Sequence, residues 1–369
     1  MNGRLRLGVL FGGRSGEHDV SLMSARSVLS VLNRQRYEII PIGITHQGVW
    51  MTGPDVLDAF QSGDTEKLTR VTLLPELGQN ILYAIRGETL QPLYSLDVIF
   101  PVLHGTFGED GTVQGLFELA DVAYVGANVL GSAVSMDKGL CKDVLRANGL
   151  PVLDSMVVTR ADIQNDLQAV IHQAESLAPY PLFTKPANLG SSVGISKCRN
   201  RSDLLEGLME AAAYDRRVLV EQGIQNPREI EVSVLGNQDA RASVPGEVLP
   251  SGDFYTYAAK YLDDRSELVI PAPLSKEATR RIRELAVQAF KVTDGSGMAR
   301  VDFLIDPRDD EIYVSEINTI PGFTKISMYP KLWEASGLSY ANLIDRLIEL
   351  ALERKADRDK TERQFRRTR

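Results

Sequence analysis

Apolar positions recur with two different periods along this chain, and the switches between them outline its elements. Near the N-terminus "RLRLGVLFGG" is a short apolar run ending in glycines. "HDVSLMSARSVLSVL" after it carries apolar residues at helical spacing. This predicts a strand, a glycine-rich turn and an amphipathic helix. "YEIIPIGITHQGVW" follows as another strand, "SLDVIFPVLHGTFGEDG" as a third ending in a glycine-rich loop, and "GLFELADVAYVGA" as a helix and short strand. The alternation predicts an α/β unit, a parallel sheet with helices on its faces, over residues 1–133.

Beyond it the pattern changes. "DKGLCKDVLRANG" is a helix that stops at Gly149 with Pro151 behind it. "PLFTKPANLGSSVGISKC" reads strand, loop, strand, and "NRSDLLEGLMEAAAYD" reads as a helix. "RVLVEQGI" and "NPREIEVSVLGN" are strands. These place a central domain at 134–222 and a third at 223–356, followed by a basic tail at 357–369 that mixes both signs of charge. A chain of 369 residues suits two or three domains.

"ARVDFLIDPRDDEIYVSEINTIPG" (Ala299 to Gly322) alternates apolar and polar residues on either side of the turn-prone "PRDD", which predicts a hairpin. With the turn centred near Asp309, Asp302 lies opposite Glu316 and Arg300 opposite Asn318. Side chains alternate faces with period two, so all four share one face. Facing carboxylates destabilise a ladder by a few tenths to about 1 kcal/mol unless a positive charge lies between them. Two carboxylates and an amide oxygen form a hard-cation donor set, suited to Mg²⁺ or Mn²⁺ rather than zinc. The plain alternative is a solvated strand face on which Arg300 neutralises one acid.

Composition narrows the classes. Hydrophobic content of 43% and charged content of 24% are those of a soluble globular chain. A net charge of −8 argues against general nucleic-acid affinity. The two cysteines, Cys141 and Cys198, have neither CxxC nor zinc spacing, which fits a reducing compartment. No apolar stretch approaches a membrane span, and "LRLGVLFGG" is too short for a signal segment, so a cytoplasmic location without membrane partners is expected.

Three further segments carry possible chemistry. "GGRSGEHDVS" is a glycine-rich turn without the spacing of a dinucleotide or phosphate-loop motif. Its Glu17 favours a cationic group such as a substrate ammonium; an N-capping loop using Asp19 or Ser21 is equally open. "PANLGSSVGIS" offers backbone N–H groups and the hydroxyls of Ser191 and Ser192 to phosphates, with Lys185 just before it. A plain hairpin loop is the alternative. "SGDFYTYAAKYLDD" (251–264) is aromatic-rich and aperiodic, as lids are.

Taken together, "HGTFGEDGT", "KPANLGSSVG", "YAAKY", "ARVDF" and "EINTIPGFTKISMYP" resemble, in order and spacing, the D-alanine–D-alanine ligases of the ATP-grasp superfamily, over residues 5–350. The resemblance implies a three-domain ATP-grasp architecture: an N-terminal parallel α/β domain and two α+β domains sandwiching the nucleotide. It implies ATP as co-substrate, D-alanine as substrate, and two Mg²⁺ ions held by Asp302, Glu316 and Asn318, with Mn²⁺ as a substitute. Lys138 and Lys185 match nucleotide-contacting lysines, Glu221 the adenine site, Glu229 the ribose site and Lys260 the lysine closing on the terminal phosphate. Glu17, Ser191 and Tyr261 match a hydrogen-bonded trio joining substrate loop, phosphate loop and lid. His104 matches a histidine beside the reacting D-alanines. Gly322, Ser327 and Met328 match the second-substrate region, and a homodimer is implied as well.

The chemistry is consistent with these parts. A carboxylate is a poor acyl donor, and phosphorylation activates it. Arg300 is placed to stabilise charge on the acyl phosphate and the later oxyanion. The rivals are a D-alanine–D-lactate or D-alanine–D-serine ligase, and a nucleotide-binding regulator without turnover. Tyr261 speaks against the D-lactate form, which resembling enzymes tend to build with phenylalanine there.

Overall fold

The computed structural model describes residues 3–78, 80–249 and 267–362. The first sheet holds β1 (Leu5–Gly12), β2 (Tyr37–Ile44), β3 (Trp50–Thr52), β4 (Thr69–Leu73), β5 (Ile81–Arg86), β6 (Thr89–Ser95), β7 (Val98–Pro101) and β8 (Ala123–Tyr124). Their order is β6-β5-β4-β3-β2-β1-β7-β8. Only β2-β1-β7-β8 run parallel; β2 through β6 form an antiparallel meander. The expected parallel sheet is therefore a mixed one. The link 45–49 is far shorter than the dozen or so residues a crossover needs, so β3 must turn back on β2. The β5–β6 hairpin turns at Gly87, whose φ of 60° is left-handed. Pro92 is tolerated in β6 because that strand forms the sheet edge.

The second sheet is antiparallel, β11-β10-β12-β9, built from β9 (Ser155–Thr159), β10 (Leu182–Pro186), β11 (Ser196–Cys198) and β12 (Arg217–Gln222). Val158, Leu182, Val218 and Val220 pack on Ile171, Leu204 and Leu208 of the helices Leu167–Leu177 and Arg201–Tyr214. The third sheet comprises β13 (Arg228–Gly236), β14 (Arg241–Ala242), β15 (Gly246–Leu249), β16 (Glu267–Val269), β17 (Gly297–Ile305) and β18 (Ile312–Asn318). Its order is β16-β15-β13-β17-β18, with β14 on β13. Helix Lys276–Val292 covers its back with Ile282, Leu285, Ala289 and Phe290.

Two cores cross between these units. Cys141 and Leu145, on helix Lys138–Ala147, pack with the third sheet's Ile230, Val301 and Phe303. Leu343, Leu347 and Leu350 of helix Tyr340–Arg358 share one core with Leu7, Val9 and Phe100 of the first sheet. The carboxyl ends of β1 and β7 thereby face the third sheet, carrying the loops that hold Glu17 and His104. Among the described residues, no helix is long and apolar enough to cross a membrane.

Candidate active site

The β17–β18 hairpin pairs Arg300 with Asn318 and Asp302 with Glu316. A bulge after Asp302 shifts the remaining pairs, so Phe303 faces Val314. On the other side of β17, Glu231 of β13 lies opposite Asp302. Three carboxylates thus form a row across three adjacent strands. Arg300 serves the row: its Nε and Nη2 donate to Asp302 at 2.7 and 2.6 Å, and Nε lies 3.1 Å from Glu231 Oε2. Asn318 Nδ2 donates to Asp302 at 3.1 Å. Burial by itself would lower the Arg300 pKa, but the charges of Asp302 and Glu231 outweigh it and raise it.

Between the second and third sheets lies a cleft of about 150 Å³ lined by Phe183, Lys185, Ser192, Glu221, Glu229, Glu231, Asp302, Leu304 and Glu316 among others. Glu221 is buried at 2% exposure and paired with two ammonium groups. Lys185 Nζ donates to its Oε2 at 2.5 Å, and the equally buried Lys142 Nζ forms an ion pair with its Oε1. Burial alone would raise the Glu221 pKa; the two lysines outweigh that and hold it below the usual carboxylate range. Lys142 also donates to the Ser315 carbonyl at 3.3 Å, tying its helix to the residue before Glu316.

A second cavity of about 70 Å³ adjoins the first, sharing Ser192, Ile195 and Glu316 with it. Glu17, His104, Glu109, Ser135, Lys138, Ser191, Arg300, Asn318 and Gly322 also line it. Glu17 accepts a hydrogen bond from the Ser191 hydroxyl, and neither Asp19 nor Ser21 caps the helix His18–Val31. The N-capping alternative is set aside: Ser21 Oγ accepts from Gly12 N at 2.8 Å and donates to the Val102 carbonyl. Ser191 and Ser192 both sit at left-handed φ, 53° and 58°, a conformation that costs about 1–3 kcal/mol per residue and recurs at ligand loops. Lys138 Nζ donates to the Leu189 carbonyl of the same loop at 2.5 Å.

His104 is fully engaged. Nδ1 lies 3.0 Å from the Ile320 carbonyl, so it carries the proton and donates; Nε2 then accepts from Ser24 Oγ at 3.0 Å. Burial lowers the His104 pKa, keeping the ring neutral. Gly322 leaves room for Ser327, whose Oγ would sit 2.6 Å from a Cβ there. Ser327 Oγ accepts from Thr324 N at 3.0 Å. Met328 turns its side chain into a small core with Val248 and Leu332, so only its backbone, at the start of helix Met328–Ala335, is left for a ligand. Neither Ser327 nor Met328 is among the residues lining the two cavities. Lys260, Tyr261 and the proposed lid at 251–264 lie outside the described residues.

Four side chains of the site went unnoticed in the sequence. Lys142 stands one helical turn after Lys138, and Glu231 stands two residues after Glu229 on the same strand; both periodicities were visible. Glu109 belongs to "HGTFGEDGT", yet nothing local says that it is turned inward. Its two oxygens accept from Gly105 N at 2.7 Å and Ile320 N at 3.1 Å, and burial, then the charge of Glu17, raises its pKa to about 8. Ser135, in the last turn of helix Val129–Met136, left no sequence signal.

An acid-lined cleft between two antiparallel sheets, roofed by a glycine-serine loop and joined to a cavity on an α/β domain, defines the ATP-grasp class. Solved structures agree. A D-alanine–D-alanine ligase from Coxiella burnetii superposes with a TM-score of 0.83 at 39% identity, covering 97% of this chain and 96% of that one. The VanG D-Ala:D-Ser ligase from Enterococcus faecalis gives 0.84 at 35% identity, covering 95% and 100%. Residues 6–127 match the family model for the D-ala D-ala ligase N-terminus, and 144–349 the model for its C-terminus. Relatives named D-alanine–D-alanine ligase are 47% identical in Natranaerobius thermophilus (98% of this chain, 99% of the relative) and 51% in Thermoanaerobacter sp. strain X514 (94% and 96%). Within the ATP-grasp class, this chain belongs to the D-alanine–D-alanine ligase family.

Proposed function

We propose that the protein joins two D-alanines to D-alanyl-D-alanine at the expense of ATP, through a D-alanyl phosphate, as a step in peptidoglycan precursor synthesis. The observation that carries this is the junction of the two cavities at Ser192 and Glu316, which lets a nucleotide in one meet an amino acid in the other. In this reading Phe183 and Leu304 sandwich the adenine, Glu221 faces its amino edge and Glu229 accepts from the ribose hydroxyls. Lys138, Lys185, Lys260 and the loop bearing Ser191 and Ser192 cradle the phosphates. Glu17, held by Ser191 and joined by Tyr261, binds the first ammonium. The first carboxylate attacks the γ-phosphorus and ADP leaves. The second amine then attacks the acyl carbon, and phosphate leaves. Arg300 stabilises the oxyanion between these events. His104 is a positioning group here, since both ring nitrogens are spoken for. The N-terminus of helix Met328–Ala335, with Ser327 and Gly322, faces the second carboxylate.

The metal reading fits the donor set. Glu231, Asp302 and Glu316 against one guanidinium leave two negative charges among these four side chains. The amide oxygen of Asn318 completes the set with Asp302 and Glu316. Two Mg²⁺ ions, or Mn²⁺ in their place, would supply charge neutralisation for the transferring phosphoryl group when bound. We assign the enzyme to the cytoplasm as a homodimer. The deciding assay is phosphate release with D-alanine, D-serine and D-lactate offered separately and together. Preference for D-serine or D-lactate as acceptor would replace this reading, and release independent of any D-amino acid would end it.

A further inference from the structure

Arg300 faces two demands that conflict. Its guanidinium occupies both oxygens of Asp302, at 2.7 and 2.6 Å, and those oxygens are the ones a metal would need. Yet Arg300 also lines the substrate cavity, where its charge is wanted. A guanidinium released from Asp302 without another anion would be a part-buried, weakly compensated cation, which is costly. The structure supplies another anion. Glu231 is 6% exposed, lies opposite Asp302 on the neighbouring strand, and has Oε2 3.1 Å from Arg300 Nε.

We propose that Glu231 is a positioning residue, the partner that takes over Arg300 when Asp302 turns to the metal. Glu231 holds the guanidinium at the edge of the substrate cavity and frees the Asp302 oxygens in the same movement. It does so without ligating the metal itself. The inference rests on the metal reading of Asp302, Glu316 and Asn318.

Mn²⁺ binding in the presence of ADP, followed by electron paramagnetic resonance, tests it in four proteins: wild type, Glu231→Gln, Arg300→Met and the double variant. Circular dichroism confirms that each is folded. Removing the takeover partner leaves Arg300 competing for Asp302, so Glu231→Gln weakens Mn²⁺ by about tenfold, within the range of partners in one ion-pair network. With Arg300 already gone there is nothing to compete, so Glu231→Gln changes nothing further in the Arg300→Met background. Dipeptide synthesis by Glu231→Gln falls in kcat with little change in KM for ATP. An equal loss of Mn²⁺ affinity in both backgrounds makes Glu231 a ligand or a structural residue and overturns the proposal. So does unchanged affinity in the single variant. Wild type that binds no Mn²⁺ overturns the metal reading beneath it. Should Arg300→Met fail to fold, Arg300→Lys takes its place, because a lysine cannot chelate both oxygens of one carboxylate as the guanidinium does.

Discussion

Glu109 shows how one half-buried carboxyl links structure to pH. Burial and the neighbouring Glu17 raise its pKa to about 8, so at pH 7 it is protonated in the empty site. A substrate ammonium entering this cavity favours the ionised form and lowers that value. D-alanine binding is therefore expected to release protons at pH 7, and the release to fade above about pH 9, where the carboxyl is ionised beforehand. Calorimetry in buffers of differing ionisation enthalpy reads the proton count; a count of zero at pH 7 would place the ammonium elsewhere. The facing acids of the hairpin lead to a second expectation. Glu316→Gln and Asp302→Asn both abolish ligation, but their stabilities diverge. Glu316→Gln relieves a like-charge pair but gives up attraction to Arg300 and Lys185, so the two effects offset and stability changes by less than about 1 kcal/mol. Asp302→Asn removes the bidentate partner of Arg300 and costs about 1.5–3 kcal/mol. Urea denaturation ranks the two. The pairing of Asp302 with Glu316 was legible from alternation and turn chemistry alone; Glu231 as third acid of the row was not, because strand neighbours distant in sequence leave no local signal.

At the scale of elements, the loop between β10 and β11 is shaped by what it must touch. Gly190 passes so near Glu17 that a Cβ would lie 2.6 Å from Oε2, and one on Gly105 would come within 2.4 Å of the same oxygen. The Glu17 carboxylate is thus walled by two glycines, one on a loop of the first sheet and one on a loop of the second. Gly190→Ala is expected to displace the carboxylate and lose most ligation, about a hundredfold, while far-ultraviolet circular dichroism stays as in wild type. Wild-type activity in that variant would mean the loop closes differently on substrate. The sequence marked "PANLGSSVGIS" as a loop between strands and suggested phosphates. It held no hint that Gly190 is there for an acid some 170 residues away. The first sheet is the counterpart case: β1, β2, β7, β8 and two of its helices were readable, but β4 to β6 and the helix Val56–Ser62 were not, and only the turn of β3 back on β2 follows from the short link after Ile44.

For the whole molecule, the last helix decides the architecture. Leu347 is fully buried in a core that joins strands of the first sheet to Trp333 and Tyr329. Leu347→Ala should cost about 2–5 kcal/mol. Because the core is shared, the first and third sheets should lose that stability together. The chain's two tryptophans, Trp50 on β3 and Trp333, sit on either side of the junction. In single-tryptophan versions, both fluorescence transitions are expected to move to lower denaturant by the same amount. A shift confined to Trp333 would show that the two units unfold separately.

Periodicity, turn residues and motif spacing determined many of this protein's elements, the acid pair of the hairpin and the family it resembles, because each depends on residues close in the chain or on fixed spacings along it. Only the tertiary structure decided which groups share a cavity. Lys142 beneath Glu221, Glu109 beside Glu17, Glu231 against Arg300 and the sealed hydrogen bonds of His104 are all contacts between elements. A side chain's burial, its charge state and its partner are properties of the packed neighbourhood, and a linear pattern carries no record of which distant element will supply that neighbourhood.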